Sequence, residues 1–123
     1  MSWYTGYELT IYCKACNYPK NSRNIAYSRK KGDDEDIPEE ATAGLTVAVH
    51  PDLYNEYKGK RIHLDILDEN GMVLSSHQPF ILDNHRNGKK IIDFYMGERD
   101  ICECSKHPWS GKKCRFKFLQ KVE

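Results

Sequence analysis

Residues 74–96 read LSSHQPFILDNHRNGKKIIDFYM, and the two aspartates in this stretch decide how the rest of the chain is read. Asp83 follows the apolar run Phe80-Ile81-Leu82, and Asp93 follows Ile91-Ile92. Between them lies a polar, glycine-containing link from Asn84 to Lys90. A short apolar run bounded by turn residues reads as a buried strand. The stretch is therefore strand, loop, strand, with an acid held by rigid backbone at the end of each apolar run. That is a good place for chemistry.

On the N-terminal side the same grammar continues. Met72 to Leu74 begins a strand that returns from Arg61 to Leu67, where Ile62, Leu64 and Ile66 alternate with Arg61, His63 and Asp65. The turn between them, Asp68-Glu69-Asn70-Gly71, reads as a tight hairpin because Asn-Gly supplies positive φ angles. Leu45 to Val49 is a short apolar strand ending at His50-Pro51, and Asp52 to Tyr57 has room for one helical turn. At the start, Tyr7, Leu9 and Ile11 alternate with Glu8, Thr10 and Tyr12, the pattern of a half-buried strand. After Asp93, only Phe116 and Phe118, with Gln120 and Val122 beyond, suggest a last strand. Residues 17–40 read as a long surface loop and 97–113 as a loop-rich segment. Six or seven short strands with no long amphipathic helix predict a mainly β fold, a small closed or nearly closed barrel.

At 123 residues the chain has the length of a single domain, 1–123, with a real core. Its net charge of +1 supplies no bulk attraction for nucleic acid or an anionic membrane. The basic runs from Arg86 to Lys90 and Lys112 to Arg115 are local, and the ordinary reading of such runs is solvated loop. No stretch approaches the roughly 18 apolar residues of a membrane span. The first residues carry no basic segment followed by an apolar one, so a signal peptide is not expected.

An ordered set of short motifs carries a resemblance. Tyr12-Cys13-x-x-Cys16, Ala41-Thr42-Ala43-Gly44, Thr46-Val47-Ala48-Val49-His50-Pro51, Gly59-Lys60-Arg61-Ile62, Ile81-Leu82-Asp83 and Gly88-Lys89-Lys90-Ile91-Ile92-Asp93-Phe94 follow one another. In that order and spacing the chain resembles, over about residues 7 to 122, the 3D domain family, named for three aspartates. The family's fold is a small six-stranded double-psi β-barrel related to the catalytic barrel of lytic transglycosylase A. The resemblance implies binding and cleavage of peptidoglycan glycan strands at the MurNAc-GlcNAc bond. No water attacks: the sugar's C6 hydroxyl closes on its own anomeric carbon to give a 1,6-anhydro product. Asp93 would be the general acid and then base. Asp83 would be the supporting carboxylate that raises the pKa of Asp93 by like-charge proximity. Thr42, Asn84 and Lys90, on the family's motifs, together with Tyr95 and Trp109, are the candidate substrate contacts. No cofactor for catalysis is implied.

The third aspartate is absent. The family pattern Val-Ala-Val-Asp-Pro has become Val-Ala-Val-His-Pro, placing His50 where a carboxylate is expected. A neutral imidazole can orient an aspartate; a protonated one beside Asp93 would depress its pKa and oppose the acid role. Asn84 and His85 also stand where the family has Thr-Gly. A barrel that binds glycan or protein without cutting is therefore the competing reading.

Cysteines form a second constellation: Cys13, Cys16, Cys102, Cys104 and Cys114, with His107 nearby in sequence. Pairing of the first and last strands would bring the clusters together. Four thiolates, or three and His107, suit a structural tetrahedral zinc. Two disulfides and one thiol are the other expectation. A zinc-stapled module for nucleic acid follows only if the basic runs share a face, and nucleic acid is not the expected partner. A monomer acting on the cell wall, virion-associated or released to it from a phage, suits the lack of a signal peptide.

Overall fold

The fold is that of a computed structural model, which describes residues 2–13, 31, 33–97 and 103–119. Chain order gives β1 (Tyr4–Tyr12), β2 (Thr46–Val49), α1 (Pro51–Tyr57), β3 (Ile62–Leu67), β4 (Val73–His77), β5 (Phe80–Asn84), β6 (Ile91–Tyr95) and β7 (Lys113–Phe118), with a 3₁₀ turn at Cys104–Lys106. The mainly β expectation is met by one seven-stranded mixed sheet in the order β4-β3-β7-β1-β6-β2-β5. β1 and β6 run parallel, as do β2 and β5; the remaining ladders are antiparallel. The sheet does not close into the expected six-stranded barrel. β4 ends it as an added edge, and the start of β5 meets the start of β3 and the residues before it through the Phe80–Arg61 bridge and the backbone bonds from Gly59 N–H to Ile81 O, Ile81 N–H to Lys60 O and Ile62 N–H to Pro79 O.

Alternation explains which side of the sheet is covered. Tyr7, Leu9, Ile11, Val47, Val49, Ile62, Leu64, Ile66, Ile81, Ile92, Phe94 and Phe116 form the main core. α1 lays Leu53, Tyr54 and Tyr57 against it. Pro51 at the first helical position and Asp52 in the first turn suit a helix start, since proline lacks only an N–H that would be orphaned there and the acid meets the positive helix end.

β1 is covered on both faces at its C-terminal end. Tyr12, on the face opposite Leu9 and Ile11, is also buried and packs in a second cluster with Ala41, Ala48 and Tyr95. A third small cluster joins Ile37 to Phe80 and Leu82, so the described end of the long loop is anchored to β5. The rest of that loop, 17–30 and 32, lies outside the described residues, as do Gln120 and Val122. In the β3–β4 turn the positive φ falls on Gly71 alone. The Asp68 carboxylate accepts from the backbone N–H groups of Asn70 and Met72 at 2.8 and 2.9 Å, so a side chain does part of what Asn-Gly was expected to do.

Asp65 sits on the face of β3 read as outward, yet it is only 4% exposed. Its register partners Ser76 and Arg115 enclose it from both neighbouring strands. Oδ1 accepts from Ser76 Oγ at 2.6 Å and lies 2.8 Å from His63 Nε2; Oδ2 accepts from Arg115 Nε at 3.0 Å. Arg115 in turn lies 4.2 Å above the Trp3 ring. Burial alone would raise the pKa of Asp65, but the bonds from Ser76, His63 and Arg115 bring it below the ordinary value.

Candidate active site

Four strands bring one row of side chains together. Asp83 of β5 is opposite Ala48 of β2. Ala48 is opposite Asp93 of β6, and Asp93 is opposite Thr10 of β1. Residues in register on neighbouring strands share a face. Asp83, Ala48, Asp93 and Thr10 therefore lie side by side, on the face turned away from the main core. The acids' backbones are two strands apart, about 10 Å at the usual spacing of ~4.8 Å per strand. Ala48, with a single methyl group, is the residue between them in the row.

A β-bulge makes this row. Val47 pairs with Ile81, but the next residue, Ala48, pairs with Asp83, leaving Leu82 as the extra residue. A regular ladder would set Leu82 against Ala48 and turn Asp83 toward the core. Bulges re-aim side chains in this way. Leu82 is instead buried with Phe80 and Ile37.

The row is electrostatically tuned. Thr10 Oγ1 donates to Asp93 Oδ1 at 2.8 Å. Burial pushes the Asp93 carboxyl up to about 6; the Thr10 bond opposes the rise and the neighbouring charge of Asp83 adds to it. Asp83 is also raised by burial, while its bond from the Asn84 N–H at 2.7 Å and the nearby His85 pull it back. His85 is itself fixed at the rim: its backbone N–H donates to Val49 O at 2.9 Å and Nε2 bonds Ile91 O at 2.8 Å. Burial lowers the pKa of His85, which the Ile91 carbonyl opposes and His50 reinforces.

Two tyrosines wall the acids. The rings of Tyr12 and Tyr95 lie 5.0 Å apart, tilted by 58°. Gly44 N–H donates to Tyr95 O at 3.0 Å, which brings the Ala41–Gly44 turn over this face. Tyr12 is 6% exposed and its hydroxyl has no hydrogen-bond partner among the described residues. Burial, Asp83, Asp93 and Tyr95 all push its pKa upward, so the phenol keeps its proton. Tyr54 of α1 is raised by burial and then by Asp83, which places it in the field of the same acid. Sequence reasoning did not single out Tyr12. The available signal was its alternation with Ile11, which puts it on the face of Thr10.

The other expected site residues divide. Asp83, Asp93 and Tyr95 come together, and Asn84 contributes its backbone N–H while its side chain is exposed. Thr42 lies in the covering turn, its hydroxyl donating to Glu40 O at 2.9 Å and its N–H to Thr46 Oγ1 at 3.0 Å. His50 caps α1, its Nδ1 accepting from the Asp52 N–H at 3.2 Å. Lys90 is away from the row, donating to Thr5 O at 3.0 Å with its amine 4.8 Å from the Tyr7 ring. It lines a separate surface pocket of about 270 Å³ with Tyr7, His50, Asp52, Leu53, Glu56 and Lys89. Trp109 stacks toward Phe94, 6.5 Å between centroids, and meets His77 and His107 at 5.1 Å each. Phe94 and Asp93 project to opposite faces of β6, so Trp109 is not in the cleft of the acids.

Cys13, Cys104 and Cys114 are buried in the main core cluster. Cys16 and Cys102 lie outside the described residues. Among the described residues no group of three or more His, Cys, Asp or Glu side chains is arranged to hold a metal. Burial, with Glu8 nearby, pushes the Cys114 thiol up to about 12. Of the basic runs, Lys89 faces Asp52, Lys90 bonds Thr5 and Arg115 bonds Asp65.

In comparisons with known proteins, no family model and no curated protein matches the chain. The chemical content therefore rests on the row itself. A buried carboxyl that titrates near 6, beside a second carboxylate and a threonine donor, can give a proton to a leaving oxygen and take one back.

Proposed function

We propose that this protein is a lytic transglycosylase of peptidoglycan, with Asp93 as its acid and base. The observation that carries this reading is the register row Asp83, Ala48, Asp93, Thr10 with the raised pKa of Asp93. Asp93 donates its proton to the oxygen between MurNAc and GlcNAc as the C1–O bond breaks. The C6 hydroxyl of MurNAc then bonds to C1 and returns its proton to Asp93, so the carboxyl is regenerated and no water is consumed. Asp83, ionised, keeps the pKa of its neighbour high and faces the positive charge that develops at the anomeric centre. The two parallel ladders and the backbone bonds between the starts of β5 and β3 support an open version of the double-psi arrangement, with β4 added outside it.

The departure at His50 fits the same reading. An aspartate before a helix-starting proline is a good N-cap, and His50 does that work through Nδ1. Neither acid's pKa is set by His50, so its imidazole does not depress Asp93.

The test is mass spectrometry of purified peptidoglycan after incubation with wild type and with Asp93→Asn. Anhydro-muropeptides from wild type alone are expected. Reducing-end products would make the enzyme a hydrolase, and no soluble product from either protein would leave a barrel that binds without cutting.

A further inference from the structure

We propose that Tyr12 is a positioning residue of the acid pair, its hydroxyl a standby donor that bonds the carboxylate of Asp93 once the proton has left. This rests on the reading of Asp93 as acid, and it comes from geometry. Thr10 and Tyr12 are two residues apart on β1 and share a face, with Asp93 in register with Thr10 and Tyr95 in register with Tyr12. Thr10 already bonds one oxygen of Asp93. The Tyr12 hydroxyl is buried in the same cluster as Ala48 and makes no bond among the described residues.

A buried polar group without a partner costs free energy. Such a cost is kept at a site when the partner appears only during the reaction. In the resting structure the Tyr12 hydroxyl bonds neither acid; when Asp93 ionises, its weak carbonyl acceptor becomes a full charge on the face the phenol shares, and the ring has to turn only from its place against Tyr95 to reach it. An interaction stronger after proton transfer than before is the kind that raises kcat. The titratable groups facing the phenol are Asp83 on β5 and Asp93 and Tyr95 on β6. Beyond Asp83 lie Tyr54 on α1 and His85 after β5, with His50 next to His85. None of these last three bears on Tyr12 directly, and the Tyr12 phenol stays protonated across the range where Asp93 titrates.

The test is a carboxyl ¹³C NMR titration of aspartate-labelled wild type and Tyr12→Phe. Loss of the hydroxyl is expected to raise the midpoint of Asp93 by about one pH unit, the size of one hydrogen bond to a charged group. The melting temperature should hold or rise, because an unmatched polar atom has been removed. With peptidoglycan as substrate, kcat should fall by about tenfold or more with KM little changed. An unmoved Asp93 midpoint overturns the proposal, and a lower melting temperature with that same midpoint makes Tyr12 a structural residue. Should Tyr12→Phe not fold, wild type labelled at tyrosine Cζ decides: the Tyr12 resonance must shift with the Asp93 midpoint, and a flat response overturns the proposal. Neither NMR arm requires cleavage, so an inactive protein would sink the transglycosylase reading and leave the standby donor standing.

Discussion

Asp83 and Asp93 both pair with Ala48, one from each side of β2, so the smallest chiral side chain separates the two acids. Ala48 is 2% exposed and packs with Tyr12, Tyr95 and Ala41. Nothing larger fits without pushing those rings or parting the carboxylates. Ala48→Leu is expected to cost about 1–3 kcal/mol, the usual penalty of overpacking. It should also weaken the influence of Asp83 on Asp93. Urea melts and a carboxyl titration check both; a variant as stable as wild type with unchanged acids would mean the space over Ala48 is open.

Charge at Asp93 costs stability. Its folded pKa of about 6 lies above the ordinary aspartate value of 3.8, so the folded state holds the proton more tightly than the unfolded chain. Below about pH 4 both states are protonated and there is no penalty. As pH rises from about 4 to 6 the unfolded chain gives up its proton first, and folding stability falls, by on the order of 2–3 kcal/mol in full. Asp93→Asn should therefore melt higher than wild type at pH 7.5 and at the same temperature at pH 4. A variant that melts lower at both would show that the carboxyl does structural work.

The same sign governs catalysis. Activity that needs a protonated Asp93 should fall as pH climbs through about 6. Because Asp83 raises that pKa, Asp83→Asn is expected to move the falling limb to lower pH as well as to reduce the rate. Initial rates of anhydro-muropeptide release from pH 4 to 8 would test this. A limb that stays in place would remove Asp83 as the coupled charge.

His50 holds α1 rather than an acid. Its Nδ1 accepts the Asp52 N–H, and His50→Ala should cost about 1 kcal/mol, as loss of an N-cap does. His50→Asp restores a strong cap and should melt at or above wild type. If His50→Ala were neutral for stability but abolished cleavage, the imidazole would belong to the chemistry instead.

Much of this was legible from alternation. Ile62, Leu64 and Ile66, or Ile81 and Ile92, announce strands because one face must be dry, and the two acids announce themselves by following apolar runs. The bulge at Leu82 was not legible, since Phe80-Ile81-Leu82-Asp83 reads identically with or without an extra residue in the ladder. Tyr12 was read as outward because period-two alternation names the two faces but does not say that the second one is also covered. Lys90 and Trp109 lie away from the acids, and no alternation announces it: Lys90, taken from a motif, bonds Thr5 O beside β1, and Trp109, on an irregular segment, reaches the Phe94 face.

Asp65 provides the opposite pH signature to Asp93. Its pKa is depressed in the fold, so the stability it contributes is present above the unfolded carboxylate value and is lost as pH falls through the folded one. Below about pH 4, then, Asp65 stops contributing while the penalty at Asp93 has already gone, and the curve should pass through a maximum on the acid side of neutrality. Asp65→Asn keeps the shape but leaves Arg115 without its carboxylate at 3.0 Å and His63 without its partner at 2.8 Å. Asp65 is buried but its partners Arg115 and His63 keep part of their surface in water, so breaking the pair is expected to cost about 1–2 kcal/mol at pH 7, below the full cost of a buried pair. The Arg115 head would also lose the anchor that holds it over Trp3, and Trp3 fluorescence should change with it. Denaturant melts at pH 3 and pH 7 separate the outcomes. The loss should be large at pH 7 and shrink at pH 3, and an equal loss at both would assign the effect to packing rather than to charge.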